Sequence, residues 1–148
     1  MCRGRLRPNL LRRSHVLSPL RVVAAAVIDR EKVLPVSKRQ APEVFYLPGG
    51  KPEMGEEALE TLARELVEEL GVAIVGSELF NVVSDVAALE RIPMEMHVYL
   101  VSVGGVISPR AEIARVAWVG ANGETPGRLA PAIRNHVLPQ LVARQLIT

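Results

Sequence analysis

A chain of 148 residues, 49% hydrophobic and 23% charged, has the size and mixture of one soluble globular domain with a real core. Its longest apolar runs, such as 22–28, fall far short of the ~20 residues needed to cross a bilayer, so no membrane span is expected. The formal charge of +2 divides unevenly: six of the 18 basic residues and no acid lie within 1–21, leaving 12 basic against 16 acidic residues in the rest.

The chain opens on a basic arm over 1–20, carrying Arg3, Arg5, Arg7, Arg12 and Arg13. Such an arm reads as a flexible start or as a phosphate-contacting segment. It is Arg-rich and acid-poor like a transit peptide but lacks the apolar stretch of a secretory signal. Cys2 is the only cysteine, which leaves no disulfide framework and no thiolate zinc cluster, so a reducing, cytoplasmic setting is expected.

From 21 to 30 an apolar run predicts a strand, and a polar turn leads to a second strand over 33–39, together a hairpin. Residues 40–43 break the pattern. Phe45-Tyr46-Leu47 reads as a short strand ending at Pro48-Gly49-Gly50, where glycine permits a tight turn. Residues 55–70 are the clearest helix: Leu59, Leu62, Ala63, Leu66, Val67 and Leu70 recur at helical spacing, and Gly71 sits where a C-terminal cap belongs. Strands follow over 79–88 and 96–103, with Ile92-Pro93 between them. Residues 112–119 hold a further strand with Trp118 as a core side chain. The tail over 129–146 reads as a second helix, with Pro131 near its start and a kink at Pro139. This mixture predicts an α/β fold with helices covering a mixed sheet.

The chemistry concentrates in residues 50–72, GKPEMGEEALETLARELVEELGV. Seven positions follow a fixed template: Gly50, five residues, Glu56, seven residues, then Arg64-Glu65-Leu66-Val67-Glu68-Glu69-Leu70-Gly71-Val72. With a background usage of about 7% per residue type, seven chance matches amount to roughly one event in a million, which favours a functional reading. At 100° per residue, Glu65, Glu69 and Glu68 fall at about 0°, 40° and 300° around the helix, with the apolar residues centred near roughly 110°. Three like charges on one edge repel by a few tenths of a kcal/mol per pair, a cost a bound cation removes. The bland alternative is a solvated acidic face with Glu60–Arg64 and Arg64–Glu68 ion pairs, and it requires no fixed template. An all-carboxylate site without His or Cys favours hard cations, magnesium or manganese. A metal so placed polarises a phosphoryl oxygen and activates water, which points to hydrolysis of a pyrophosphate linkage.

The pattern resembles the Nudix box, and its flank LPGGKPEMGE over 47–56 resembles the MutT-like branch of the Nudix hydrolases. The resemblance implies a Nudix-type α/β/α sandwich over 21–148, a mixed β-sheet flanked by helices. It implies that Glu65, Glu68 and Glu69 bind Mg2+ or Mn2+, with the Gly49 carbonyl as a further ligand. Glu65 is also the candidate for orienting or deprotonating the attacking water. Arg64 would hold Glu65, Glu56 would support the site from the loop, and Lys51 would stand near the substrate phosphates. Gly50 and Gly71 would be structural. Family members often recruit another acid from outside the box, for which Glu112 is the first candidate and Glu90 and Glu95 are rivals.

Other residues carry weaker signals. His15, His97 and His136 are scattered and read as surface or packing residues. Phe45 and Tyr46 suit either stacking on a base or packing a strand. Asn135 suits a base edge or plain solvent exposure. Signatures of the NADH, coenzyme A, ADP-ribose and diadenosine-polyphosphate branches are missing. The default expectation is therefore a nucleoside triphosphate pyrophosphohydrolase giving a monophosphate and pyrophosphate, with oxidised guanine triphosphate as one target. The expected partner is a small nucleotide, not nucleic acid or membrane, and a homodimer accords with the family. Two alternatives remain: an RNA 5′-end pyrophosphohydrolase that uses the basic arm, and a non-catalytic nucleotide-binding Nudix-like module.

Overall fold

The computed structural model describes residues 19–148, so most of the expected basic arm, together with Cys2 and His15, lies outside the described residues. In chain order the elements are β1 (Leu20–Asp29), β2 (Lys32–Val33), β3 (Val36–Lys38), β4 (Ala41–Tyr46), β5 (Gly49–Gly50) and α1 (Ala58–Leu70). There follow β6 (Ala73–Val86), β7 (Pro93–Gly104), β8 (Ile113–Val116), β9 (Arg128–Leu129), a wide π-type turn over Ile133–Val137, and α2 (Leu138–Ala143).

Two mixed sheets result. One has the order β2-β1-β7-β6 with β5 also on β1; the other has the order β8-β3-β4-β9. β1 lies parallel to β7, with Val22 opposite Met96, and β7 lies antiparallel to β6. Residues Val23 through Val27 of β1 are all buried. Val23, Ala25 and Val27 join Leu62, Leu66 and Leu70 of α1 in one half of the core. Ala24 and Ala26 join Met96, Ile133 and Leu141 in the other half. Alternate side chains of a strand point to opposite faces, so a strand covered on both faces reads as an unbroken apolar run. The expected α/β/α sandwich is present.

Several boundaries differ from the sequence reading. The expected strand over 33–39 is two strands in different sheets, separated at Leu34-Pro35, because proline cannot donate to a continuing ladder. Residues 41–43, expected to break the pattern, open β4, since the turn before them is tight enough to pair Lys38 with Ala41. β6 begins at Ala73, six residues before the expected start. Register shifts at Ile74/Gly76 and Leu79/Asn81 erase the two-residue period that would have announced it. Trp118 lies beyond β8 and is 38% exposed, so it is not a core side chain. The tail is helical over 131–143 as expected, with a π-type widening over Ile133–Val137 directly before Pro139 that marks the expected kink; its expected start Leu129 instead belongs to β9.

α1 carries the correction that matters most. Leu62, Leu66 and Leu70 are fully buried as expected, but Leu59 and Val67 are exposed, as is Ala63. Thr61 and Glu69 are buried in their place. At 100° per residue the buried arc is rotated by about 60° toward the carboxylate edge. Glu69 therefore shares the packed face, Glu65 is partly buried beside it, and Glu68 stays exposed.

Candidate functional site

The site begins where β5 meets α1. The two glycines of β5 lie against β1, Gly49 opposite Ala24 and Gly50 opposite Val23. A Cβ on Gly49 would collide with the Val23 carbonyl, and its φ of 149° is one that side-chain-bearing residues rarely adopt. A Cβ on Gly50 would fall 2.5 Å from Glu65 Oε1, so the glycine leaves room for that carboxylate. Gly71 ends α1 in the left-handed conformation at φ 67° and donates to the Val67 carbonyl at 3.0 Å.

Arg64 organises the loop and the helix together. Its Nε donates to Glu56 Oε2 at 2.7 Å, its Nη2 to Glu56 Oε1 at 2.9 Å and its Nη1 to Glu65 Oε1 at 2.9 Å. Glu56 also accepts from the Glu53 backbone N–H at 2.8 Å and from the Thr61 hydroxyl at 2.9 Å. The Arg64 hydrogen bonds, then that backbone N–H, hold the Glu56 carboxyl down to about 2, and the same contacts raise the Arg64 guanidinium. Arg64 contacts Glu68 as well, at 3.5 Å, but Glu68 is half exposed and does not line the cavity below.

Glu69 is the most unusual group. It is 2% exposed, and its Oε1 accepts from the Gly49 N–H at 3.0 Å while Oε2 meets no protein donor. Burial, only partly offset by that N–H, pushes the carboxyl up to about 8. Burial raises Glu65 too, against the opposing pull of Arg64. Two crowded, desolvated carboxylates with an unsatisfied oxygen suit an oxygen-binding divalent cation, which would neutralise both. Among the described residues, however, no three His, Cys, Asp or Glu side chains already converge as a metal cluster.

A cavity of about 350 Å³ opens beside these residues, lined by Gly49, Gly50, Lys51, Arg64 and Glu65 from the motif. Of the acids outside it, Glu112 and Glu90 line the cavity and Glu95 does not. Glu112 pairs with Lys38 at 3.7 Å and Glu90 with Lys51 at 3.6 Å, whereas Glu95 binds His97 at 2.8 Å elsewhere. Neither His97 nor His136 lines the cavity; His136 pairs with Asp85 at 3.1 Å. Phe45 is fully buried, so of the two neighbouring aromatics only Tyr46 faces the cavity, and Asn135 is exposed outside it. Sequence reasoning missed Lys38 and Thr61. A lone lysine on a short strand carries no signal, and Thr61 falls on the carboxylate edge of the helix, outside the apolar stripe.

Comparison with known proteins accords with this geometry. The NUDIX domain family model matches residues 19–140. The curated "Putative 8-oxo-dGTP diphosphatase 2" of Mycobacterium tuberculosis (strain CDC 1551 / Oshkosh) is 36% identical over 104 residues, spanning 68% of this chain and 72% of that protein. The crystal structure of a MutT NUDIX hydrolase from Burkholderia pseudomallei superposes with a TM-score of 0.72 at 27% identity, covering 84% of this chain and 98% of its own. The crystal structure of a mutator MutT protein from Bacillus halodurans gives 0.63 at 28% identity, covering 80% and 81%.

Proposed function

The chain belongs to the Nudix hydrolase family and is a pyrophosphohydrolase, and on that premise we propose that it cleaves nucleoside triphosphates between the α- and β-phosphates. The products are a nucleoside monophosphate and pyrophosphate. Oxidised guanine triphosphate, the compound in the Mycobacterium tuberculosis relative's name, belongs to the candidate substrates. The observation that carries the reading is Glu69: a buried carboxylate with one unsatisfied oxygen, bonded to the Gly49 N–H, whose helix neighbour Glu65 lines a cavity with two lysines on its wall.

Hydrolases of this family generally act with a divalent metal ion. In this proposal Glu65, Glu68, Glu69 and the Gly49 carbonyl would hold Mg2+ or Mn2+, and Glu112, which lines the cavity, would add a further carboxylate. An all-oxygen donor set fits either ion. The ion, when bound, supplies Lewis-acid polarisation of the phosphate and a more acidic water.

The chain's own groups do the rest. Glu65, held on one oxygen by Arg64, orients the attacking water and takes its proton. A carboxyl raised by burial is a better base than a solvated one. Lys51, at the cavity rim, faces the phosphates as a point charge. Glu56 keeps Arg64 aligned and touches neither water nor phosphate. The test is product analysis with a nucleoside triphosphate and Mg2+. Monophosphate and pyrophosphate in equal amounts support the reading, and diphosphate plus inorganic phosphate contradicts it.

A further inference from the structure

Val23 and Ala24 of β1 pair with β5 on one edge and with β7 on the other. Glu65 of α1 lies against Gly50 of β5, so the opposite flank of the helix overlooks β7 and β6. At 100° per residue that flank carries Leu59, Ala63 and Val67, one above the other, and all three are exposed. On the sheet beside them Tyr99 packs against the core under α1, and its register partner on β6 is Leu79. Val82 follows on the same face, opposite His97. Leu59, Val67, Leu79 and Val82 are between 41% and 55% exposed. Glu78 and Asp85, the acids of β6, pair with Leu100 and Met94 and belong to the other face. Among the described residues of β6 and β7, the charged side chains on the α1 face are Glu95 and His97, bonded to each other at 2.8 Å.

Exposed apolar side chains scattered singly need no explanation, but a continuous strip marks a contact surface. Over 77–86 the strip runs about 30 Å at ~3.3 Å per residue and is about 15 Å wide, roughly 450 Å² in all. A standard interface takes about 800 Å² per partner, roughly 60% of it apolar, so the strip supplies the apolar part of one. We propose that it is the contact between two copies of this chain, packed face to face about a two-fold axis. Such a contact sets a surface against itself and so excludes a face of unbalanced charge; the one pair on this face is internally matched. The free edge of β6 is not the contact. Asn81 and Asp85 accept from the N–H of Val82 and Val86 at 2.8 and 2.7 Å, which blunts the strand against ladder pairing. Exposed Glu60 and Glu68 on the neighbouring stripe of α1 repel an anionic lipid surface. The cavity lies on the Glu65 flank, away from the contact.

Sedimentation velocity of the full chain over a concentration series tests this. The expected result is a dimer at about 10 µM, since interfaces of standard size bind at micromolar Kd or tighter. Leu79→Glu and Val67→Glu each set carboxylates against an apolar contact and should raise the dimer Kd by about a hundredfold or more. Val106→Glu, a change at an exposed apolar side chain outside the strip, should leave the dimer intact. Melting curves establish that each variant is folded; should a glutamate unfold the chain, Leu79→Ser carries the same prediction at about tenfold. A parent that stays monomeric at about 100 µM, dimers that survive every folded strip variant, or a dimer lost equally in Val106→Glu overturns the proposal. A monomeric parent that dimerises only after removal of residues 1–18 also overturns it, and identifies that segment as the cover of the strip.

Discussion

Arg64 holds Glu56 in a two-pronged grip, Nε to Oε2 at 2.7 Å and Nη2 to Oε1 at 2.9 Å, across eight residues of chain. The same guanidinium reaches Glu65 at 2.9 Å, so one planar group couples the loop to the candidate base. A lysine ammonium cannot reproduce that fork. Arg64→Lys should lower kcat/KM by about 10- to 100-fold, the range for groups that orient metal ligands, with little change in KM. Steady-state kinetics beside the parent protein checks this.

Glu56 predicts an acid limb. Its folded-state carboxyl titrates near 2, below the ordinary glutamate value of about 4.3, so it stabilises the fold above that ordinary value. The contribution is lost as pH falls toward 2. Melting curves from pH 5 to 2 should fall less steeply for Glu56→Gln than for the parent.

Glu69 predicts the opposite slope. An unfolded glutamate ionises near 4.3, whereas the buried one holds its proton up to about 8. Between those values the unfolded state binds fewer protons, so metal-free stability declines as pH rises through the window. In Glu69→Gln that decline should shrink to the part that the raised Glu65 contributes, while turnover drops by about a hundredfold or more through loss of a metal ligand. A decline of unchanged slope in the variant would remove Glu69 as its source.

Gly49 and Gly50 separate stability from activity. An alanine methyl at Gly50 meets the tip of the Glu65 side chain, which can turn aside; at Gly49 it meets the Val23 backbone, which cannot. Gly50→Ala should cut activity by about tenfold while moving Tm by less than about 4 °C. Gly49→Ala should unfold at clearly lower temperature, read by calorimetry.

Glu112 and Glu95 form a matched pair. The first lines the same cavity as Glu65 and the second binds His97 outside it. Glu112→Gln should reduce turnover by about tenfold or more if it completes the metal's donors, while Glu95→Gln retains parental rates. Equal rates in all three proteins would strike Glu112 from the site.

Much of this site was legible because its residues lie close together in sequence. Glu56, Arg64, Glu65 and Glu69 belong to one loop and one helix, and their spacing alone places them side by side. The depth of Glu69 was not legible. Periodicity located the leucine stripe but could not tell that Leu59 and Val67 face outward while Thr61 and Glu69 turn in, because that rotation is set by packing against β1. Lys38 reaches the cavity from β3 through sheet pairing, which leaves no local trace. The β6 start escaped for a related reason: bulges disturb a period without announcing what replaces it.

In the proposed mechanism Glu65 and Glu69 hold a divalent cation against a diphosphate. Calorimetric titration of Mn2+ into the parent protein and into Glu69→Gln, each followed by phosphorus NMR of a nucleoside triphosphate reaction, tests it most directly. The expected result is cation uptake and equal release of monophosphate and pyrophosphate by the parent, with both lost in the variant. Identical uptake and identical products from the two proteins would contradict it.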